Sequence, residues 1–211
     1  MNRLPPSGQR EVVGEVRTDA AVIEDSLQEP DCFAVIFDRY FRSIARYLTR
    51  RVGAGLAEDL AAEVFAVAFA SRGRYDVART DARPWLFGIA ANLLRHHHRS
   101  ERRQWLAYAR TGIDPLDDGG LDRAADRVDA TASAPLLARA LAAMPARDRE
   151  ALLLFVWAEL SYDEVAHALG IPVGTVRSRL SRARYRLRRE LGPGSGQQPD
   201  GQVIWNGEAN G

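Results

Sequence analysis

The residues with the clearest chemical purpose in this chain are a run of arginines between Gly174 and Leu191. The segment, GTVRSRLSRARYRLRREL, holds seven arginines against one glutamate. A guanidinium group can donate paired hydrogen bonds to a phosphate or to the edge of a guanine. The segment therefore predicts a helix that binds nucleic acid, although a solvated basic face on a surface helix is the ordinary alternative for a charge run.

The two sides of this predicted helix differ in character. Apolar residues recur at helical spacing and form a narrow stripe suited to packing on a core: Val176, Leu180, Ala183, Leu187 and Leu191. The other side carries small polar residues and arginines, which we expect to contact DNA: Thr175, Arg177, Ser178, Arg179, Ser181, Arg182 and Arg184. Small side chains let the backbone approach a groove, so residues near the helix start should reach bases while later arginines hold phosphates.

The residues just before this helix have the features of a short helix and a tight turn. Ser161 and Glu164 have the spacing of a capping box, in which the hydroxyl and the carboxylate each accept from a backbone amide. Gly170 suits the left-handed position after a helix end, and Pro172 suits the start of the next helix. Together these segments predict a helix-turn-helix whose second helix enters a DNA groove.

A polar loop at residues 73–83 is a second candidate site. It places Tyr75 between Arg74 and Asp76, and an aromatic ring among charged groups can stack an unstacked base. The loop could equally face solvent, with Tyr75 closing an edge of the core.

The helix that follows this loop has a polar face of its own. Asn92, Arg95 and Arg99 share one side of the predicted helix. An asparagine can pair with a base edge through two hydrogen bonds, and arginines can follow a phosphate backbone. We therefore expect a second nucleic-acid contact in the first half of the chain.

The elements that must position these residues are all helical. The hydrophobic pattern predicts an all-α chain of two small helical domains, with first-domain helices at about Cys32–Arg51, Leu56–Ser71 and Pro84–Arg103. The expected parts are a poorly ordered arm at 1–27 that could hold a short helix near Ala20–Leu27, a first domain at 28–103, a flexible acidic linker at 104–133, a second domain at 134–192 and a flexible tail at 193–211. In the second domain, Pro145 should end one helix before another runs from Asp148 to Leu160.

Composition narrows the class of protein further. The formal net charge of the 211 residues is +1, and Cys32 is the single cysteine, so one chain can form no disulfide and a reducing, cytoplasmic setting is expected. Cys32 is a small apolar residue or a redox-sensing thiol. The sequence suggests no secretion signal and no membrane span. His96, His97 and His98 are consecutive and would point in different directions on a helix, so we expect no metal site, no cofactor and no enzymatic activity.

Three segments together resemble a known family. They are AEDLAAEVFAVAF (Ala57–Phe69), RPWLFGIAANLLRHHHR (Arg83–Arg99) and the stretch Ala140–Leu191, which contains SYDEVAHALG followed by GTVRSRLSRAR. They are similar to regions 2.2, 2.3–2.4 and 4 of the extracytoplasmic-function (ECF) sigma factors, the small two-domain members of the sigma-70 family. The resemblance covers about residues 30–103 and 134–191.

The resemblance implies a transcription initiation factor that directs core RNA polymerase to the promoters of a stress- or signal-responsive regulon and assists promoter melting. The beta-prime clamp helices would be contacted by Glu58, Asp59, Glu63 and Phe65, and the beta flap is a further expected polymerase contact. The −10 element would be contacted by Arg74, Tyr75, Asp76, Trp85, Asn92, Arg95 and Arg99. The −35 element would be read by the second helix of the helix-turn-helix.

The same resemblance implies an anti-sigma partner, and it leaves one departure. The family often has glutamine where this chain has Ala62, which removes one polar clamp contact. Two alternatives stay open from the sequence. A regulator with a LuxR-like reader and a helical sensor domain would share the second half of the chain. An interaction protein such as an anti-sigma factor would usually lack the DNA reader.

Overall fold

The computed structural model describes residues 17–112 and 127–191, with only the backbone described over 127–133. All regular structure in these two ranges is helical, as the sequence predicts. Residues 1–16 of the expected arm, the centre of the expected linker and the expected tail, including its apolar Val203–Trp205, lie outside the described residues.

A short helix, α1 (Asp19–Asp25), begins the described part of the chain. The side chain of Thr18 caps it by accepting from the amide of Ala21 at 3.3 Å, and Val22 and Ile23 are fully buried. The short helix expected near Ala20–Leu27 is therefore present as α1, and this part of the expected arm is ordered. A seven-residue helix gains little from propensity alone, so its order comes from the buried face.

Four longer helices complete the first domain (residues 17–112). A 3₁₀ turn at Pro30–Phe33 leads into α2 (Ala34–Val52), which is followed by α3 (Ala54–Ser71), α4 (Arg83–His96) and α5 (His98–Thr111). The predicted third helix is divided at His97, and its second part continues beyond Arg103 into the expected linker. Trp105 is completely buried, and packing this ring extends the helix past the predicted end.

The second domain (residues 127–191) contains four helices: α6 (Arg127–Ala143), α7 (Ala146–Val156), α8 (Tyr162–Leu169) and α9 (Val173–Leu191). Helix α6 begins inside the expected linker and includes Pro135, whereas the sequence places the domain start close to that proline. The break at Pro145, the capping box of Ser161 and Glu164, and the left-handed Gly170 (φ 62°) are confirmed.

The two domains pack against each other through a continuous buried core. A group of four charged residues crosses this contact, here called the interdomain ion network. In it, Arg51 donates to Glu150 at 2.7 and 3.0 Å and to Glu101 at 2.5 Å, while Arg149 donates to Glu101 at 2.7 Å. Arg51 is 1% exposed. Close packing was not expected from the sequence, which predicts two domains joined by a flexible linker.

Candidate nucleic-acid interface

Helix α9 is amphipathic in the way its sequence predicts. Val176, Leu180 and Ala183 are fully buried against the second domain, and Leu187 packs at the edge of the same core. This burial fixes the rotation of the helix, because only one side can face inward. The opposite side, with Arg177, is consequently turned to solvent.

The expected −35 residues fall into three groups in the structure. Arg177, Ser178 and Ser181 are exposed near the start of α9, where the approach to a groove is least obstructed. Two later arginines are engaged by the domain itself: Arg182 pairs with Asp148 at 3.0 Å, and Arg184 donates to the hydroxyl of Tyr162 at 2.9 Å. The remaining two, Thr175 and Arg179, are half-buried.

The later part of α9 continues this surface. A shallow hollow is lined by Ser181, Arg182, Tyr185, Arg186 and Arg189. Tyr185 is 66% exposed, which is unusual for so large an aromatic side chain. A flat ring among guanidinium groups can lie against a sugar–phosphate backbone, so Tyr185 joins Arg186, one of the later arginines expected to hold phosphates, as a candidate DNA contact.

The α3–α4 loop (residues 72–82) has an exposed tip and a buried anchor. Arg74 and Asp76 are exposed, and Asp76 pairs with Arg79 at 3.3 Å. Tyr75 is only 8% exposed, its hydroxyl donates to the carbonyl of Arg79 at 2.7 Å, and its ring lies 5.0 Å from that of Trp85. Burial, together with the carboxylates of nearby aspartates, raises the pKa of Tyr75 to about 12. In this conformation the Tyr75 ring packs between the loop and Trp85, and it presents no exposed face on which a base could stack.

The polar face of α4 lies at the contact between the domains. Asn92 and Arg95 are exposed on this face, and Arg95 donates to the side-chain oxygen of Asn92. Arg99 is also exposed, but it lies on α5, because the predicted single helix is divided at His97. One turn earlier, α4 touches helix α8 so closely that a Cβ atom at Gly88 would lie 2.6 Å from the carbonyl oxygen of Ala168. The glycine therefore permits an approach that any other residue would block.

A cleft of about 410 Å³ lies between the two domains beside this contact. Asn92 and Arg95 line it from the first domain, and Arg179 lines it from the second. A B-form duplex needs a groove-sized surface free of protein, and a cleft of this volume admits only a small part of one. The structure thus brings residues expected at two different DNA elements to one shared cleft.

The expected polymerase contacts lie on α3, away from this cleft. Glu58, Asp59 and Glu63 are exposed, whereas Phe65 is 5% exposed and stacks at its ring edge on Phe37, with centroids 4.9 Å apart. Phe65 therefore supports a surface that Phe37 presents.

Apolar side chains continue this surface next to the acidic residues. Phe37, Val67 and Phe69 are each between 37% and 39% exposed. Val67 is turned outward on α3, whereas Leu60, Val64 and Ala68 are buried on its core side. The exposed side chains of Phe37, Val67 and Phe69 lie next to Glu58, Asp59 and Glu63. These six residues form an acidic and aromatic surface, here called the α2–α3 patch, which is suited to binding another protein.

Within 17–112 and 127–191, no three His, Cys, Asp or Glu side chains are grouped so that they could hold a metal ion. None of the helices described there is long and apolar enough to cross a bilayer.

Comparisons with known proteins match both halves of the chain. A family model described as Sigma-70 region 2 matches residues 36–104, and one described as Sigma-70, region 4 matches residues 135–187. RNA polymerase sigma factor HrpL of Pseudomonas syringae pv. syringae is 31% identical over 153 residues, covering 70% of this chain and 80% of HrpL. ECF RNA polymerase sigma factor SigC of Mycobacterium tuberculosis is 34% identical over 156 residues, covering 72% of this chain and 79% of SigC.

Among solved structures, CnrH in complex with the cytosolic domain of CnrY has a similar fold. The TM-score is 0.57 at 21% sequence identity, over 81% of this chain and 95% of CnrH. At this identity the likeness concerns the fold alone.

Proposed function

Because the chain belongs to the ECF sigma factors of the sigma-70 family, which act in transcription initiation, we propose that each of its two domains recognises a different promoter element. Helix α9 reads the −35 element in the major groove. The single observation that carries this assignment is the solvent-facing edge of Arg177, Ser178 and Ser181 on a helix whose other side is locked in a core. Arginine gives base discrimination there, and the small hydroxyl residues leave room for the groove walls.

The first domain captures and melts the −10 element. Its candidate surfaces are the exposed tip of the α3–α4 loop, with Arg74 and Asp76, and the face of α4 that carries Asn92 and Arg95. This face has to separate from α8 before DNA can lie along it, because Gly88 is in close approach to Ala168. Promoter binding therefore requires an opened arrangement of the two domains.

Core RNA polymerase supplies that arrangement. The α2–α3 patch combines exposed carboxylates with exposed rings, a composition suited to a basic and apolar partner surface such as the beta-prime clamp helices. The second domain would meet the beta flap. Holding two weak DNA-binding modules at a fixed spacing raises their combined affinity without any new DNA contact. We therefore expect each domain to bind promoter DNA weakly when polymerase is absent.

Regulation and location follow from the same assignment. Sigma factors are regulatory proteins rather than catalysts, and this chain would act in the cytoplasm with polymerase and carry out no reaction of its own. An anti-sigma factor would hold it inactive until a stress or other signal arrives. The related fold of CnrH was solved bound to the cytosolic domain of another protein, CnrY, which agrees with control of this kind.

The test of the proposed function joins a binding assay to a specificity assay. The purified chain is mixed with core polymerase, and complex formation is measured by size-exclusion chromatography. A sensor-type regulator should form no stoichiometric complex. Holoenzyme binding to promoter duplexes altered at single −35 positions is then compared for the wild type, Arg177→Ala and the control Arg189→Ala.

Arg177→Ala should relax discrimination at one −35 base pair by about tenfold, since a bidentate base contact contributes about 1–3 kcal/mol. Arg189→Ala, near the exposed end of α9, should weaken binding to every sequence equally. Equal losses on all sequences for Arg177→Ala would remove base reading by α9 from the proposal.

A further inference from the structure

Asp19 is a buried carboxylate in a position that neither DNA contact nor polymerase binding explains. It is the first residue of α1 and is 4% exposed. A carboxylate removed from water is costly unless its oxygens accept several hydrogen bonds, so a buried aspartate is retained for what it holds.

The partners of Asp19 come from two other elements of the first domain. Its carboxylate accepts from Nη1 of Arg39 at 2.6 Å, from the hydroxyl of Tyr40 at 2.5 Å and from the backbone amide of Ala82 at 2.8 Å. Its own amide donates to the carbonyl oxygen of Thr80 at 3.1 Å. Arg39 and Tyr40 belong to α2, while Thr80 and Ala82 form the end of the α3–α4 loop. One side chain therefore joins the loop end to a rigid helix.

The hydroxyl of Tyr40 links this anchor to a second carboxylate. It lies 3.1 Å from Asp81, and Asp81 in turn accepts from the amide of Arg83 at 2.8 Å. The first amides of a helix have no partner within the helix, and here Asp19 and Asp81 satisfy two of them at the start of α4. The direction of α4 and the end of the loop are thus set together.

The beginning of the same loop is tied to the turn that follows α1. Nε of Arg72 donates to the carbonyl of Ser26 at 3.3 Å, and the Ser26 hydroxyl, fully buried, donates to the carbonyl of Ile23 at 2.6 Å. Gly73 lies against the side chain of Leu27. Both ends of the α3–α4 loop are consequently held by residues 19–27, and the tip between them, which includes Asp76, is left exposed.

We propose that Asp19 is a positioning residue for −10 recognition: it fixes the shape of the α3–α4 loop so that the loop tip can accept an unpaired promoter base. The inference rests on the proposed role of that loop in base capture. It assigns no DNA contact to Asp19 itself, which is too deeply buried to reach a nucleotide. The match to sigma region 2 begins at residue 36. The helix α1, which precedes that match, would then contribute to promoter recognition.

The experiment uses the full chain in holoenzyme with core polymerase. Variants are Asp19→Ala, which removes all carboxylate contacts, and Asp19→Asn, which keeps the size and an acceptor oxygen. The matched control is Asp25→Ala on the same helix, since Asp25 is an exposed aspartate whose ion pair is with Arg17. Arg74→Ala at the loop tip reports on the loop independently.

The readout is base preference, which a loss of folded protein alone would not alter. Fluorescence anisotropy measures the affinity of each holoenzyme for single-stranded −10 oligonucleotides that differ at one base, and the ratio of affinities for best and worst bases gives the preference. Core binding and −35 duplex binding are measured on the same preparations. Asp19→Ala should lower the preference about tenfold, Asp19→Asn should lie between it and the wild type, and Asp25→Ala should equal the wild type.

The base preferences of the variants, taken together, separate the role of Asp19 from the role of the loop tip. Loss of preference in both Asp19→Ala and Arg74→Ala, with core and −35 binding retained, supports the inference. Loss in Arg74→Ala with none in either Asp19 variant overturns the inference and leaves the loop's proposed role intact. Loss in the Asp19 variants alone overturns positioning of the tip, and unchanged preference in all variants overturns base capture by the loop together with the inference. If Asp19→Ala does not fold, Asp19→Asn decides by the same criteria.

Discussion

Replacement of Glu150 by leucine should open the contact between the two domains. Glu150 of the second domain accepts two hydrogen bonds from the guanidinium of Arg51 in the first, at 2.7 and 3.0 Å. With Glu101 and Arg149, these residues form a network of two positive and two negative charges. Leucine at position 150 leaves a net positive charge inside the closed arrangement, whereas water can solvate Arg51 once the domains separate.

The size of the effect follows from burial. Removing one partner of a buried ion pair costs about 3–5 kcal/mol, because the other charge remains without compensation. The cost falls on the closed arrangement, where Arg51 is 1% exposed. Since each 1.4 kcal/mol is a factor of ten, the ratio of closed to open molecules should fall by about two to three and a half powers of ten.

The assay is energy transfer between dyes on Cys32 in the first domain and on an introduced Arg188→Cys at the exposed end of α9. Glu150→Leu should lengthen the mean dye separation. The control Glu24→Leu, which removes an exposed glutamate from α1, should leave the separation unchanged.

A paired replacement separates the ion pair from simple loss of packing. Arg51→Met with Glu150→Leu removes both charges and leaves Arg149 and Glu101 as a neutral pair. Apolar replacement of a complete buried pair is often neutral or stabilising, so this double variant should return the separation to that of the wild type. A double variant as open as Glu150→Leu, or a single variant as closed as the wild type, would show that the buried charge balance of Arg51 and Glu150 does not hold the domains together.

Three further predictions concern pH, salt and stability. Burial alone would raise the pKa of Glu101, but the guanidinium groups of Arg51 and Arg149 outweigh it and lower the pKa. The ionised Glu101 should therefore stabilise the closed arrangement above the ordinary pKa range of a carboxyl group, and this stabilisation should be lost below about pH 4. Energy transfer between the same two dyes measures the closure, and a closure that strengthens on acidification would contradict the prediction. If α9 neutralises about five phosphates, a plot of log affinity against log salt for −35 duplex should have a slope of about −4 to −5, and a slope near zero would exclude phosphate binding. Ser161→Ala should lower the free energy of unfolding by about 1 kcal/mol in a denaturant titration by removing the α8 cap, whereas unchanged stability would show that the cap contributes nothing.

The parts of the fold that the sequence predicts well depend on local signals. The apolar stripe of α9, the capping box at Ser161 and the turn at Gly170 each require only residues within a few positions of one another. The break at Pro145 is of the same kind. These signals sufficed to predict the helix-turn-helix and the face of α9 that points outward.

The parts that the sequence does not predict depend on partners far along the chain. Arg51 meets Glu150 across 99 positions, and Asp19 meets Ala82 across 63. Helix α5 continues past Arg103 because Trp105 packs near Trp157 of the second domain, with ring centroids 5.6 Å apart. No periodicity within a single segment carries such information.

Tyr75 illustrates the same limit at the candidate site. The local sequence of an aromatic residue between charged neighbours is the same whether its ring faces solvent or is buried at the edge of the core. The distinction comes from Trp85, whose ring lies 5.0 Å away, and from the carbonyl of Arg79, which accepts the phenolic hydrogen. Both contacts depend on how the loop folds back on α4.

Transcription from a randomised promoter library by core polymerase supplied with this chain tests the central claim most directly. We expect the templates that produce new transcripts to share two short sequence boxes at a fixed spacing. Arg177→Ala should alter the upstream box alone, and Arg74→Ala should alter the downstream box alone. Transcripts that depend on one box only, or no transcripts beyond those of core polymerase alone, would contradict the central claim.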